Sequence, residues 1–313
     1  MKIEKNFNLE GNKEKERFDS KIFLSFFRHG EKPSKMAEGS EIGIIQESRK
    51  KSVKSAPDFG PENRRDTKQS VGFGASSLRT LETVGFVMGG VKDNITGEEN
   101  LEELEEKLNE NVKIGTKLSN EKLLSFVFFK DSKVDQSLIQ AARKGDWLKF
   151  IVEKSDDMAQ EHRDKDAITY TRISAQVAEL IMKYVNIEKK WDKLVKDKEK
   201  KYKPTLERYF SAPAAITAFL AKIIEKIKGK EERNNFAKLL KEGYFGYLEG
   251  FSVEIINPVN GDTENPKIIV KYHNEDKETG DTYDFKEEIN KDLLIELINS
   301  GIKFEEEIIS DSE

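Results

Sequence analysis

Residues 22–31 of this chain read IFLSFFRHGE, and they decide how the remaining sequence is interpreted. The first six residues are apolar apart from Ser25, which is typical of a central strand that is covered on both faces. The run ends abruptly at Arg28, His29, Gly30 and Glu31. Because open α/β sheets bind ligands at the carboxyl ends of their strands, we expect His29 to be a reactive centre and Arg28 to belong to an anion site.

The composition of the chain argues against several classes of protein. Charged residues make up 36% of the 313 residues, and the net charge is −5, which argues against a nucleic-acid-binding protein. The chain has no cysteine, and its three histidines are scattered, so we expect neither a metal nor another cofactor. We find no apolar run of the roughly 20 residues that span a bilayer and no secretory signal, so a cytoplasmic protein without membrane contact is expected.

The order of the predicted elements favours an α/β fold, a three-layer sandwich with a mostly parallel central sheet flanked by helices. A C-terminal antiparallel β-meander is expected at 251–286, on the edge of the sheet, because turn residues separate three alternating segments there. The other predicted strands are 22–28, 71–75 and 205–210. The predicted helices are 44–55, a segment from 78, an acidic segment at 97–112, 137–154, a segment from 170 past 184, 214–227 and 291–299. Residues 123–129 are compatible with a strand or a buried helical turn.

We predict a single domain over 1–313. Within it, 1–19 forms a loose arm or an edge strand, 90–200 forms a helical insertion or cap, and 251–313 forms the meander and the last helix. The lysine-rich continuation of the long helix, up to residue 203, is interpreted as a solvated helix face rather than a nucleic-acid site. The edge of the meander could pair with a second copy to give a homodimer.

A second polar cluster follows the strand predicted at 71–75. Ser76 and Ser77 open a helix, and Arg79 lies in its first turn. The free N–H groups at the start of a helix favour an anion, and arginine forks match phosphate oxygens. A neutral imidazole beside two arginines can attack phosphorus, and the arginines can stabilise the charge that spreads over the phosphoryl oxygens. As alternatives, His29 could be a structural histidine, and Arg79 could pair on the helix surface with Glu82 or Glu47.

These two motifs resemble those of the histidine phosphatase superfamily, and of its phosphoglycerate mutase-like branch in particular. The matching stretches are FFRHGE at 26–31 and GASSLRTLET at 74–83, and the resemblance covers about residues 20–230. It implies that His29 is phosphorylated, that Arg28 and Arg79 bind the phosphoryl group, and that the sheet is largely parallel. We include Lys32 as a further phosphate-binding candidate, because it follows the first motif.

The third motif of the superfamily, a strand that ends in a second histidine, is incomplete here. In SAPAAI at 211–216 the resemblance places Ala212 where that histidine belongs. Either a deliberate replacement or a natural loss of function accounts for the alanine. The acid phosphatase branch places an aspartate next, where this chain has Pro213, so the sequence argues against that branch's mechanism.

The proton donor to the leaving group is predicted as Glu121, one residue out of register with the mutase-like pattern. Glu161 and Asp164, beside His162, are the alternatives. The resulting expectation is a metal-independent phosphomonoester hydrolase, rather than a mutase, that acts through a phosphohistidine on a small-molecule or protein substrate. A non-catalytic phospho-ligand-binding or scaffold protein, a pseudophosphatase, is the alternative.

Overall fold

The computed structural model describes residues 18–33, 43–55, 70–90, 94–108, 112–115, 122–126, 129, 131–197, 202–258, 265–275 and 282–310. Most of the predicted arm therefore lies outside the described residues, while residues 18 and 19 begin the first strand. Within the described ranges, no helix has both the length and the apolar composition needed to cross a membrane.

Strands and helices are interspersed along the first three quarters of the chain, with three consecutive helices between residues 133 and 196, and strands then predominate. The strands are β1 Phe18–Arg28, β2 Ser70–Gly74, β3 Val112–Gly115, β4 Thr205–Ala212, β5 Gly250–Pro258, β6 Lys267–Glu275 and β7 Thr282–Ile289. The helices are α1 Gln46–Lys54, α2 Leu78–Gly89, α3 Leu101–Leu108, α4 Lys133–Arg143, α5 Trp147–His162, α6 Tyr170–Lys196, α7 Ile216–Lys228, α8 Lys230–Leu239 and α9 Lys291–Ser310. A short 3₁₀ turn at Lys122–Leu124 lies where a strand or a helical turn was expected.

The described strands form one mixed sheet in the order β3-β2-β4-β1-β5-β6-β7. The pairs β3–β2, β2–β4 and β4–β1 are parallel, and the pairs β1–β5, β5–β6 and β6–β7 are antiparallel. The α/β class is therefore confirmed. The mostly parallel sheet is not, because the meander is continuous with β1 and makes up the antiparallel half. The three-layer sandwich stays a prediction.

β1 is buried on both faces, as its apolar run predicts. Successive side chains of a strand point to opposite faces. Ile22, Leu24 and Phe26 accordingly belong to a large apolar cluster that includes residues of α6 and α7. Phe23 and Phe27 belong to a separate cluster with residues of α2 and α3. This two-sided burial fixes the position of the polar residues that follow β1.

Two predicted helix boundaries are wrong, and glycines explain both. The helix expected at 137–154 is divided into α4 and α5 at Gly145, whose φ of +77° favours glycine. The last helix continues to Ser310 instead of ending at 299. Gly301 lies inside α9, and a Cβ at this position would approach the Cβ of Ala175 on α6 to 2.4 Å. Gly301 thus serves close helix packing and does not terminate the helix.

The lysine-rich end of α6 is more than a solvated face. Trp191 is buried there, and its Nε1–H donates to the carbonyl of Pro204 over 3.1 Å. Glu188 and Asp192 are also buried, and both accept hydrogen bonds from the Ser20 hydroxyl at the start of β1. The helix therefore packs against the sheet at the end remote from Arg28.

Three parallel strands bring their carboxyl ends to one edge of the sheet. Arg28 of β1 pairs with Ala212 of β4, and Gly74 of β2 pairs with the neighbouring Ser211. The residues that follow β1 and β2 therefore emerge on either side of the end of β4.

Candidate active site

His29 is held by main-chain contacts at the end of β1. Its N–H donates to the carbonyl of Ala212 over 3.1 Å. Its side-chain Nδ1 lies 2.7 Å from the carbonyl oxygen of Gly30. A carbonyl oxygen can only accept, so Nδ1 must carry the proton. The lone pair of the neutral ring is then on Nε2.

Arg79 faces that lone pair. Its Nε–H donates to Nε2 of His29 over 3.2 Å, so the two hydrogen bonds of the imidazole specify the same tautomer. Burial lowers the pKa of Arg79, and the nearby charge of Arg28 adds to this effect. The two arginines therefore lie close enough to repel each other, and an anion between them would relieve that repulsion.

The imidazole of His29 is neutral over the physiological pH range. Burial lowers its pKa to about 3, against the opposing hydrogen bond to Gly30 and with the help of the positive charges of Arg79, Arg28 and Lys32. A neutral ring, whose Nε2 lone pair is not protonated, is the form that can act as a nucleophile.

Helix α2 carries Arg79 and also fixes the loop that follows His29. Ser77 occupies the N-cap position, and the Thr80 hydroxyl donates to the Ala75 carbonyl over 2.8 Å, which anchors the first turn. One turn further on, the Thr83 hydroxyl accepts the N–H of Gly30 over 2.9 Å. Gly30 is therefore held at its N–H by α2 and at its carbonyl by the imidazole.

Glu82 does not pair with Arg79. Its carboxylate accepts one bond from Arg49 Nη2 and one from the N–H of Ile44, each over 2.7 Å. The other proposed partner of Arg79, Glu47, pairs with Lys51 at 2.8 Å. Glu82 therefore links α2 to α1 and to the segment before it, while Arg79 is directed toward His29.

Arg28 is enclosed by residues 241–249, a segment between α8 and β5 that we call the aromatic loop. Its Nη1 donates to the carbonyl of Phe245 over 2.7 Å and to Glu242 over 3.2 Å. Its guanidinium carbon lies 4.7 Å from the ring centroid of Tyr244 and 4.0 Å from that of Tyr247. Arg28 therefore supplies a positive charge in a fixed position, with part of its donor fork already used by the protein.

The structure brings Arg28, His29, Arg79 and Ala212 together, and it places Lys32 near enough for its charge to act on His29. Glu121 lies outside the described residues. The alternative acids are on another part of the chain: Glu161 is exposed on the last turn of α5, and the Asp164 carbonyl accepts from Arg172 over 3.0 Å. In the described part of the chain, no group of three or more acidic or histidine side chains could hold a metal ion.

Sequence reasoning missed the aromatic loop. The available signal was the stretch YFGYLEG at 244–250, with three aromatic residues and two glycines directly before β5. Aromatic residues beside glycines in a connecting segment suggest an ordered loop with a specific conformation. The local sequence does not indicate, however, that this loop contacts Arg28.

Comparison with known proteins gives remote structural similarity and no sequence family. No family profile and no curated protein matches the chain. Among solved structures, mycobacterial hydrolase 1 aligns at 15% identity and a TM-score of 0.42, covering 80% of this chain and 96% of that one. The phytase of Citrobacter braakii aligns at 9% identity and a TM-score of 0.38, covering 90% and 97%. The apo phytase of Hafnia alvei aligns at 8% identity and a TM-score of 0.39, covering 91% and 97%. At these scores the similarity identifies neither a family nor an activity.

Proposed function

We propose that this protein is a phosphomonoester hydrolase that acts through a phosphohistidine on His29 and needs no metal. The observation that carries the proposal is the hydrogen bonding of the imidazole. Nδ1 is committed to the Gly30 carbonyl at 2.7 Å, and the lone pair on Nε2 faces Arg79 at 3.2 Å. A nucleophile in its reactive tautomer beside a guanidinium is the arrangement that phosphoryl transfer requires.

The reaction would proceed in two displacements. A phosphoryl group binds Arg79 and draws its donors away from His29. The Nε2 lone pair then attacks phosphorus, and an N–P bond forms while the ester P–O bond breaks. The leaving oxygen takes a proton from a carboxylic acid, for which we keep Glu121 as the proposed residue. Water then attacks phosphorus and gives its proton to that carboxylate, the N–P bond breaks, and inorganic phosphate leaves.

The cations have different roles in this scheme. Arg79 would move from the imidazole to the phosphoryl oxygens, because its hydrogen bond to Nε2 is the one that the substrate replaces. Arg28 would contribute a fixed charge, because its Nη1 remains bonded to Phe245 and Glu242. Lys32, which is exposed, would bind at the rim. Positive charge that is already in place stabilises a phosphoryl transition state without reorganisation.

Ala212 favours a second candidate, a non-catalytic phospho-ligand-binding protein. Its side chain is fully buried beside Arg28, at the position where the resemblance expects a second histidine. The loss of one donor to a developing phosphoryl charge typically costs about 10²–10³ in rate. The same site would still bind a phosphate through Arg79 and Lys32.

Trapping the phosphoryl enzyme tests the proposal. The protein is incubated with para-nitrophenyl phosphate, quenched in alkali, and analysed by mass spectrometry for phosphate on the peptide that contains His29. We expect the adduct in the unaltered chain and its loss in His29→Ala, while His273→Ala, a control on β6, keeps it. The Ala212→His variant should raise the rate. Its unfolding is followed in parallel, because overpacking a buried site costs about 1–3 kcal/mol.

The outcomes separate the two candidates. An adduct on His29 supports the hydrolase. Phosphate binding that depends on Arg79, with no adduct and no turnover in either the unaltered chain or a folded Ala212→His variant, supports the binding protein. Phosphate binding that is unchanged in both His29→Ala and Arg79→Lys would contradict both, because neither residue would then belong to the pocket.

A further inference from the structure

Tyr247 is an exposed aromatic ring beside the proposed nucleophile. Its ring centroid lies 6.2 Å from that of His29, with the two planes tilted by 44°. The guanidinium carbon of Arg28 lies 4.0 Å from the same ring. Tyr247 is nevertheless 41% exposed. Aromatic side chains beside a few placed polar groups are typical of ligand sites, and the exposed part of this ring is accessible to a ligand.

The aromatic loop holds this ring at a defined position. Phe245, two residues earlier, is fully buried, and its N–H donates to the Thr217 hydroxyl on α7 over 3.0 Å. Glu249, two residues later, accepts from the Tyr272 hydroxyl on β6. Between them, the N–H of Leu248 donates to the carbonyl of Arg28 over 3.2 Å. Both sides of Tyr247 are therefore tied to the sheet and its helices, so the ring is positioned before a ligand arrives.

The geometry points to Tyr247 as a specificity-determining residue that recognises a planar, aromatic group next to the phosphate of the ligand. Arg28 lies against the ring of Tyr247, which leaves the solvent-exposed part of the ring for contact with a ligand. A phosphate held by Arg79 in front of His29 would bring its substituent within reach of that surface, because the ring centroids of His29 and Tyr247 are 6.2 Å apart. Stacked aromatic rings gain attraction beyond the burial of apolar area, so a planar ring is favoured over an aliphatic one of equal size.

This inference rests on the proposed phosphate site and is tested by binding, independently of turnover. Three non-hydrolysable probes are titrated by calorimetry: methylphosphonate, cyclohexylphosphonate and phenylphosphonate. We expect phenylphosphonate to bind roughly three- to tenfold more tightly than cyclohexylphosphonate, the ratio that corresponds to an aromatic pair. Tyr247→Phe should keep that ratio, and Tyr247→Leu should reduce it to about one.

A matched control is available on the other side of the molecule. Tyr202 is 42% exposed, and its ring centroid lies 5.6 Å from that of Trp191, away from the proposed site. Tyr202→Leu therefore removes an equally exposed tyrosine and should leave all three affinities unchanged.

The outcomes distinguish aromatic recognition by Tyr247 from the existence of the phosphate site. If methylphosphonate binds but phenyl- and cyclohexylphosphonate bind equally well, aromatic recognition is wrong and the phosphate site stands. The same holds if Tyr247→Leu weakens all three probes by one factor, because the ring would then only position Arg28. If no phosphonate binds, the proposed phosphate site fails, and the inference about Tyr247 fails with it.

Discussion

The protonation of one imidazole determines what the candidate site can do. His29 is buried beside two arginines, and burial lowers its pKa to about 3, with Arg79, Arg28 and Lys32 acting in the same direction. The unfolded chain binds a proton on this residue near its ordinary value of 6.5. Folding stability that depends on His29 is therefore present above pH 6.5 and is lost as the pH falls toward 3.

We predict that the His29 ring does not titrate between pH 5 and pH 8. Two-dimensional NMR of the imidazole groups, with the His29 signal assigned by its loss in His29→Ala, measures this directly. The ring signals should report the Nδ1–H tautomer throughout, because the Gly30 carbonyl accepts from that nitrogen. Any hydrolytic activity should correspondingly show no acid limb above about pH 4 that is due to this residue. A midpoint near 6.5 would contradict the burial described here.

At the residue scale, the sequence predicts site residues that lie near each other in a motif and misses partners that are distant in the chain. The sequence indicates Arg28, His29 and Arg79 because each lies at, or shortly after, the end of a predicted strand. The contact of Arg28 with Phe245 joins residues 217 positions apart, and no local pattern encodes such a pair. The direction of Arg79 was also ambiguous, because a helix surface offers several acidic partners at similar spacing.

At the scale of elements, one face of helix α2 connects three parts of the site. Arg79 contacts His29, Thr83 holds the loop at Gly30, and Glu82 joins α2 to α1 through Arg49. Glu82 is buried, and its carboxylate accepts from the charged Arg49 and from the main-chain N–H of Ile44. Its removal takes a carboxylate partner away from both donors in a largely buried region.

We predict that Glu82→Ala lowers the free energy of unfolding by about 2–4 kcal/mol, the cost of breaking a largely buried pair. Glu47→Ala on α1 is the matched control. It also removes a carboxylate paired with a basic residue, but Glu47 is exposed, and the stability should not change measurably. Urea denaturation followed by circular dichroism gives both values. Equal effects of the two substitutions would show that Glu82 does not join the helices.

The sequence predicts an element well where hydrophobic periodicity determines its position, and poorly where contacts with distant parts of the chain determine where it ends. The sequence predicts β1 and α7 from apolar runs, α2 from helical spacing after two serines, and β4 at 205–210, and the structure contains all four. It ends α9 too early, because a glycine such as Gly301 often follows the end of a helix. Here the glycine instead allows close packing against Ala175 on α6, which the local sequence does not show. Helix α8 was missed, since its mean composition is polar and its buried side chains, Arg233 and Phe236, form no visible stripe.

At the scale of the whole molecule, a second buried polar cluster lies at the opposite end of β1. The Ser20 hydroxyl donates to Glu188 over 2.9 Å and to Asp192 over 3.1 Å. Glu188 Oε2 and both side-chain polar atoms of Asn257, the neighbour of Ser20 across β1 and β5, are buried without a hydrogen-bond partner in the described structure. Burial raises the pKa of Glu188, and the adjacent Asp192 adds to the effect.

We predict that Glu188→Gln stabilises the protein at neutral pH. A carboxyl group whose pKa is higher in the folded state than in the unfolded state stabilises the fold while it is protonated. This stabilisation is complete below the unfolded pKa of 4.5 and is lost as the pH rises through the folded pKa. At pH 7 the free energy of unfolding of the variant should therefore rise by more than the roughly 0.5 kcal/mol that is usual for a surface substitution. Below pH 4 this difference from the unaltered protein should vanish. Thermal unfolding across this range measures it.

Glu179→Gln controls for the change of net charge, because Glu179 is exposed on the same helix α6. It should alter stability equally little at both ends of the pH range. A loss of stability in Glu188→Gln at pH 7 would mean that the carboxylate is satisfied in the fold, contrary to the unpaired oxygen described above.

The fold class can be predicted from the sequence, but the arrangement of the strands in the sheet can be predicted only in part. Alternating strands and helices indicate an α/β fold, and the turn-separated segments after residue 250 indicate an antiparallel meander. The sequence predicts that the meander lies on the edge of the sheet, but it does not reveal that β5 pairs with β1, the proposed nucleophile strand. That pairing depends on the path of residues 240–249, whose contacts are with distant parts of the chain.

The two hydrogen bonds of the Thr83 hydroxyl have a mechanical consequence. The hydroxyl accepts the N–H of Gly30 and donates to the carbonyl of Arg79, so it ties the main chain after His29 to the first turn of α2. Arg28 is held separately by the aromatic loop. The main-chain segments that carry His29 and Arg79 should therefore move together, while the Arg79 side chain can exchange its bond to Nε2 for a bond to an anion. The site thus combines a rigid main-chain frame with one guanidinium that can adjust to the size of the anion that enters.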